Sequence, residues 1–82
     1  MKVEIITPDG PVFSGEASSV KLPGADGGLE ILTDHAPMVN ILAKGELSIA
    51  TTEGLKTMTV DGGTVEVSNN NVTVLAEAII EA

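Results

Sequence analysis

The feature of this chain that most restricts its fold is the alternation of apolar and polar residues in short runs. Val3 and Ile5 begin one such run, and Val72 and Val74 begin another. Clusters of glycine, proline, asparagine and aspartate separate the runs, as at residues 8–11. A period of two residues indicates strands that bury one face, and no segment before residue 76 has the 3.6-residue period of an amphipathic helix. The sequence therefore predicts an all-β protein.

The spacing of the runs predicts roughly ten short antiparallel strands, arranged as a β-sandwich or a flattened barrel. The asparagines at 69–71 suit a tight turn with left-handed backbone angles, and residues 24–28 suit a glycine-rich hairpin tip. Residues 53–54 fall where a two-residue hairpin turn is expected, and residues 61–63 separate two further strands. No linker or internal repeat divides the chain, so we expect residues 1–82 to form one domain.

The composition restricts what can fill the core. Apolar residues make up 43% of the 82 residues, which indicates a packed core rather than a disordered chain. Phe13 is the single aromatic residue, so the core must consist of Val, Ile, Leu, Met and Ala. A core of small aliphatic side chains in so short a chain is expected to be only modestly stable, and a bound partner protein would support it.

Several apolar residues fall on positions that break the alternation. They are Ile6, Leu32, Met38, Leu42 and Leu75. Apolar residues on the second face of a strand indicate either a β-bulge with a twisted edge or a surface that another protein covers. Burial inside a closed barrel is a further interpretation for Leu42 and Leu75. The sequence leaves these interpretations open.

The charge balance excludes several classes of partner. Twelve acidic residues against four lysines give a net charge of −8, without the basic stripe that nucleic-acid binding needs. The acidic residues occur singly, which is typical of a solvated surface. An anionic membrane surface is disfavoured as well, and no apolar stretch reaches the roughly 18–20 residues of a membrane span. The N-terminal segment does not have the pattern of a signal peptide, so we expect a cytosolic protein without direct membrane insertion.

The residues that carry chemistry do not form a recognisable site. His35 is the only imidazole, and Asp34 would point away from it in an extended segment, so we interpret His35 as a structural hydrogen-bond donor. The segment 24–28 lacks the Gly-Lys-Ser/Thr ending of a phosphate-binding loop. Neither Asp26 nor Asp34 lies in a calcium-loop pattern, and the chain has no cysteine. We therefore expect no catalytic residue, no cofactor and no metal.

A carrier domain is the alternative from another functional class. Lipoyl and biotinyl domains are also small acidic β-sandwiches, and they present one lysine at a hairpin tip within a short motif. Lys44 is followed by Gly45 and Lys56 by Thr57, and neither pair matches such a motif. A stand-alone carrier or binding domain remains the second hypothesis.

Five segments in order along the chain resemble one known family. They are Phe-x-Gly within 12–15, a glycine-rich loop at 24–32 followed by His-Ala-Pro at 35–37, Gly-x-Leu-x-Ile at 45–49, Gly-Gly-x-x-Glu-Val within 61–67, and Asn-Val-Thr-Val-Leu-Ala at 71–76. Together they extend over essentially the whole chain. In these segments the chain resembles the N-terminal β-sandwich domain of the epsilon subunit of bacterial F-type ATP synthase.

The resemblance implies a ten-stranded sandwich at the foot of the central stalk of a rotary ATP synthase. There the domain would bind the gamma subunit and the c-ring, and would help couple ion translocation to ATP synthesis without performing bond chemistry itself. The implied location is peripheral, on the cytoplasmic face of the bacterial inner membrane.

The resemblance also implies which residues meet each partner. The c-ring contact would be at Asp26, Gly27 and Gly28. The gamma contacts would be at Thr7, His35, Ala36, Pro37, Met38 and Asn40. Met38 is an adaptable apolar side chain beside an exposed turn, and both a partner contact and core packing remain open for it.

The chain departs from the family pattern at three places. Thr33 and Asp34 replace a common Pro-Gly pair, and Glu30 replaces a frequent glycine. Longer members continue into a C-terminal two-helix hairpin that can inhibit ATP hydrolysis, whereas this sequence stops at Ala82. We therefore expect a short form without inhibition by that route, and leave open whether it is natural or cut.

Overall fold

The computed structural model describes residues 1–80 as eight β-strands without a helix, which confirms the all-β prediction. The strands are β1 Lys2–Thr7, β2 Gly10–Glu16, β3 Ser19–Gly24, β4 Gly27–Leu32, β5 Met38–Thr51, β6 Gly54–Ser68, β7 Asn71–Ala76 and β8 Ile79–Ile80. The expected single domain extends to residue 82, and its last two residues lie outside the described ones.

The strands form one continuous sheet in the order β2-β1-β7-β6-β5-β3-β4, with β8 added to β6. Neighbours are antiparallel except β1 and β7, which run parallel from the pair Lys2–Asn71 to the pair Ile6–Leu75. The expectation of a purely antiparallel sheet is wrong at this pair. A hairpin imposes antiparallel pairing on strands that follow each other, whereas β1 and β7 are joined by most of the chain.

The two long strands explain the difference between eight strands and the predicted ten. In β5 the inward positions are Met38 and Leu42 in the first half but Leu47 and Ile49 in the second. An even-to-odd change of phase means that the strand leaves one layer of a sandwich and enters the other. β6 makes the same change, between Val60 and the odd-numbered residues that follow. If the halves of β5 and β6 are counted separately, the sandwich has ten segments.

The first layer therefore consists of β2, β1, β7, residues 63–68 of β6 and residues 38–42 of β5. The second consists of β4, β3, residues 44–51 and 54–61, and β8. The layers meet at a corner formed by the middle of β5 and β6.

Glycines make the corner possible. Gly62 and Gly63 have positive φ angles of 78° and 135°, which favour glycine because they crowd a Cβ atom. A Cβ on Gly45 would lie 2.8 Å from the Cβ of Pro23 on the neighbouring strand β3. The predicted break at 61–63 is consequently a bend inside one strand rather than a reversal of the chain.

Three hairpin turns share one geometry. In each, two turn residues separate the last residue of one strand from the glycine that pairs with it at the start of the next strand. The φ angles of these glycines are 120° at Gly10, 129° at Gly27 and 121° at Gly54. The turn predicted at 53–54 therefore lies one residue earlier, at 52–53. The fourth turn uses Asn69 and Asn70, whose φ angles of 49° and 62° confirm the left-handed turn predicted there.

Between the layers lies a core made only of aliphatic and Met side chains. Its buried members are Val3, Ile5, Ala17, Val20, Leu22, Ile31, Leu42, Leu47, Ile49, Met58, Val60, Val65, Val67, Val72, Val74 and Ala76. Phe13 is only partly buried and packs against this cluster, whose aliphatic and Met composition is the one expected from the sequence. No charged or polar residue is buried in the described part of the chain.

Candidate partner-binding surface

The five residues that break the alternation do so for different structural reasons. Leu42 is buried because the phase changes at the corner, and Ile6 follows a register shift between β1 and β2. Met38 packs partly against the core. Leu32 and Leu75 remain 54% and 52% exposed, so burial inside the fold is wrong for Leu75. The structure thus leaves Leu32 and Leu75, together with the half-buried Ile6, for the interpretation that another protein covers them.

Leu75 belongs to a row of residues, apolar except for Thr64, that crosses the outer face of the first layer and is called the apolar row. Register places five residues side by side on neighbouring strands, in the order Ile41, Thr64, Leu75, Ile6 and Pro11. Ile41 is 63% exposed, and its neighbour Val39 is 70% exposed one row away. With a strand spacing of about 4.8 Å, the row is roughly 19 Å long. An exposed apolar row of this length is typical of a protein contact.

The adjacent row on the same face is polar and acidic. It contains, in order across the strands, Val39, Glu66, Thr73, Glu4 and Ser14. Its charge is only partly balanced, by a 3.9 Å ion pair between Lys2 and Glu4. A surface with an apolar row beside carboxylates best complements a partner that presents apolar side chains flanked by basic ones.

Thr7 lies beside the row, where β1 ends next to the corner. It borders a cleft of about 280 Å³ that Ile6 and Leu75 also line. The Thr7 hydroxyl donates a hydrogen bond to the carbonyl oxygen of Gly10 at 3.1 Å and accepts one from the Asp9 amide at 3.2 Å. The hydroxyl is thus used to shape the turn, and the apolar residues beside it form the exposed surface.

Met38 and Asn40 lie on β5 and alternate with Val39 and Ile41. Because side chains alternate, Met38 and Asn40 point inward and are half-buried, while Val39 and Ile41 point outward. The Oδ1 atom of Asn40 accepts a hydrogen bond from the Ile41 amide at 2.8 Å. Sequence reasoning named the inward pair and missed the outward pair. The polar Asn40 would by itself have placed residues 39 and 41 inward, so the local sequence held no signal for the observed alternation.

The His-Ala-Pro segment forms the connection between β4 and β5. The His35 amide donates to the Leu32 carbonyl at 3.1 Å, and Nδ1 of His35 lies 2.7 Å from the Ala36 oxygen, consistent with donation from the ring. The Asp34 amide donates to Oδ1 of Asn70 at 2.8 Å and so holds the loop against the β6–β7 turn. This loop lies at the end of the first layer opposite Thr7. Met38, which directly follows the loop, is in register with Val3, four residues or about 13 Å along the strand from Thr7.

The residues predicted to meet the c-ring lie in the β3–β4 turn. Asp26, Gly27 and Gly28 are all exposed, and Cβ atoms built on the two glycines would have open space around them. The Ala25 amide of this turn donates to the carbonyl oxygen of Ile41 at 2.8 Å. The turn is therefore adjacent to one end of the apolar row.

The remaining surface offers little for chemistry. A cleft of about 580 Å³ lies between β2 and the β5–β6 turn, where Nζ of Lys56 lies 5.9 Å from the centre of the Phe13 ring. Within residues 1–80, no group of three or more His, Cys, Asp or Glu side chains could hold a metal ion. Lys44 and Lys56 pair within the β5–β6 ladder rather than lying at a hairpin tip, which disfavours the carrier-domain hypothesis.

Fold and surface together define a small β-sandwich domain, in which the exposed apolar row and the glycine turn are the prominent features. Residues 1–82 match the family described as ATP synthase, Delta/Epsilon chain, beta-sandwich domain, and the chain belongs to this family.

Relatives of known name agree with this membership, and a solved structure shares the fold. The ATP synthase epsilon chain of Endomicrobium trichonymphae is 42% identical over 93% of this chain and 55% of its own length. The chloroplastic ATP synthase epsilon chain of Cyanidioschyzon merolae is 42% identical over 100% of this chain and 63% of its own length. A chain in the cryo-EM structure of the Tetrahymena thermophila mitochondrial ATP synthase central stalk and c-ring has the same fold, with a TM-score of 0.87 and 20% identity over 99% of this chain and 66% of that one.

The chain therefore spans between half and two thirds of the length of these curated relatives. Within residues 1–80, the structure has no helix that is both long and apolar enough to cross a membrane.

Proposed function

We propose that this chain is a non-catalytic central-stalk subunit of a rotary F-type ATP synthase, which binds the gamma subunit and the c-ring and helps couple ion translocation to ATP synthesis. Family membership supports the assignment, and the exposed apolar row on the first layer is the structural observation that carries it. In this role the complex is the enzyme, and the subunit contributes contacts rather than bond chemistry.

The gamma subunit is the proposed occupant of the apolar row. Thr7 follows Ile6, the member of the row next to its Pro11 end, and Asn40 precedes Ile41 at the other end. The row thus joins contacts that the family resemblance implied separately. The cleft beside Ile6 and Leu75 has room for an apolar side chain of the partner. Burial of exposed Leu and Ile side chains supplies the largest favourable contribution to such an interface.

The c-ring is the proposed partner of the β3–β4 turn. Gly27 and Gly28 allow another main chain to approach closely, because no Cβ atom stands above the turn. Contact with a membrane-embedded ring would hold the subunit peripherally, on the cytoplasmic face of the bacterial inner membrane. The carboxylate of Asp26 at the tip would favour a basic or hydroxyl-bearing loop of the ring.

Two matched variants test the gamma contact. Leu75→Thr and Leu55→Thr each remove an exposed leucine from the outside of a strand, one from the apolar row and one from the second layer. We expect Leu75→Thr to weaken binding to purified gamma about tenfold or more and Leu55→Thr to leave it within about twofold. Both variants should unfold at nearly the wild-type temperature, since both sites are exposed. Equal affinities of the two variants, or a wild-type chain that does not bind gamma, would contradict the proposal.

A further inference from the structure

Residues 38–42 of β5 form an edge strand that β6 holds on one side only. On the other side, the strand meets the β3–β4 turn, where the Ala25 amide donates to the Ile41 carbonyl at 2.8 Å and Gly24 pairs with Leu42. The Ile41 amide is itself engaged by Oδ1 of Asn40 at 2.8 Å. Both main-chain polar groups of Ile41 are therefore used, and the contact with Ala25 links the edge strand to the turn.

The turn is packed tightly where it makes this contact. Gly24 is buried, and a Cβ atom on it would overlap the carbonyl oxygen of Gly27 and lie 3.0 Å from Cγ of Leu29. Ala25 follows directly, so its amide has little freedom to move away from Ile41. The exposed tip at Asp26 and Gly27 is the next part of the same turn.

From this geometry we propose that the Ala25–Ile41 hydrogen bond couples the two binding surfaces. A partner that orders the β3–β4 turn also fixes the edge strand 38–42, and a partner that binds the edge strand orders the turn. Ala25 and Ile41 are thus positioning residues between the two contacts. The inference rests on the proposed function, because it takes the c-ring as the partner at the turn and gamma as the partner at the apolar row.

The coupling follows from the entropy of the edge strand. A strand that is paired on one side and held at one point on the other loses conformational freedom when that point is ordered. The second partner then loses less entropy when it binds, because the strand is already ordered. Thermodynamic linkage requires that each partner change the affinity of the other by the same factor. If one exposed main-chain hydrogen bond carries the coupling, each partner should raise the affinity of the other about fivefold.

Ala25→Pro removes the donor and keeps the φ of the turn, although its ring Cδ takes the place of the amide hydrogen and displaces the Ile41 carbonyl oxygen. Proline has no amide hydrogen, and its fixed φ suits the first of the two turn residues. Pro8 already occupies that position in the β1–β2 turn, which has the same geometry. Thr52→Pro is the matched control, because Thr52 occupies the same position in the β5–β6 turn, away from both proposed contacts. Replacement of Ala25 by L-lactic acid removes the same donor without a proline ring.

Hydrogen exchange of the full chain, with and without detergent-solubilised c-ring, measures the coupling directly. In wild type and Thr52→Pro, we expect the c-ring to slow exchange in the turn and also, about fivefold, in residues 38–42. In Ala25→Pro and in the lactic acid analogue, the turn should be protected while residues 38–42 exchange as in the free chain. Purified gamma should have the converse effect: it should slow hydrogen exchange in residues 38–42 and also in the turn.

The possible failures are distinguishable. If the c-ring does not protect the wild-type turn, the proposed function is wrong, and the coupling fails with it. Protection of the turn that never reaches residues 38–42 overturns the coupling alone. Transfer that persists in both Ala25→Pro and the lactic acid analogue also overturns it, since the hydrogen bond is then not its route.

Discussion

Gly63 packs against the main chain of Leu75 so closely that a Cβ atom on the glycine would overlap the Leu75 carbonyl oxygen. The same atom would lie 2.9 Å from Cα of Ala76, the residue with which Gly63 pairs. Gly63 also has a φ of 135°, where β6 turns the corner between the layers. Steric room and backbone conformation both require glycine at this site.

Gly63→Ala should therefore destabilise the domain strongly. We expect a loss of about 3 kcal/mol or more in the free energy of unfolding, measured by urea denaturation, because strain and overlap add. Gly54→Ala provides the control, since Gly54 has a similar φ of 121° but open space around it. It should lose only about 1 kcal/mol. Equal losses would show that the packing against Leu75 has no effect of its own.

The aliphatic core should be sensitive to single truncations. Leu47 is fully buried and pairs with Met58, so Leu47→Ala is expected to lower the free energy of unfolding by about 2–5 kcal/mol. That is a large part of the stability of so small a domain. Leu55→Ala, at an exposed site, should change it by less than about 0.5 kcal/mol. Excess gamma should raise the melting temperature of Leu47→Ala, and a midpoint unchanged by gamma would contradict the proposed complex.

The β6–β7 turn should tolerate glycine but lose its hold on the neighbouring loop. Asn70→Gly keeps the left-handed turn, yet it removes the Oδ1 atom that accepts from the Asp34 amide. We expect the thermal midpoint to change little while amide exchange at Asp34 and His35 accelerates about fivefold or more. Asn69→Gly should leave the exchange of this loop unchanged. Unchanged exchange in Asn70→Gly would show that other contacts hold the loop.

A bulky side chain on the β3–β4 turn should block the ring contact selectively. Gly28 has open space around its Cα and no positive φ, so Gly28→Leu should fold normally. We expect it to weaken binding to detergent-solubilised c-ring about tenfold in a pull-down titration, because the side chain keeps the two main chains apart. Thr57→Leu adds a similar side chain on an exposed face of β6 and should bind like wild type. Full binding by Gly28→Leu would place the ring contact elsewhere.

The alternation of Val3, Ile5, Val72 and Val74 was sufficient to predict strands, and the single Phe was sufficient to predict an aliphatic core. The corner was not predictable in this way. A change of phase around Ala43 has the same sequence pattern as a break between two strands, and only the pairing with β6 shows that the strand continues.

The apolar row could be anticipated only in part. Leu75 was identified because it breaks the alternation of its own strand. That Ile6 lies beside it depends on the parallel pairing of β1 and β7, which come from opposite ends of the chain. Ile41 faces outward because it precedes the buried Leu42 on the same strand, and the sequence does not show that Leu42 is buried. Long-range pairing decides which exposed residues become neighbours, and local pattern does not contain it.

The passage of β5 and β6 through both layers has a mechanical consequence. In a sandwich whose layers are joined only by loops, side-chain packing alone resists sliding of one layer over the other. Here two uninterrupted main chains cross the corner side by side, joined by their own ladder on each side of the bend. Shear between the layers would have to change the backbone torsions of both strands at the corner and distort that ladder. The domain should therefore have low elastic compliance, and little energy would be stored in it when force is applied to one layer.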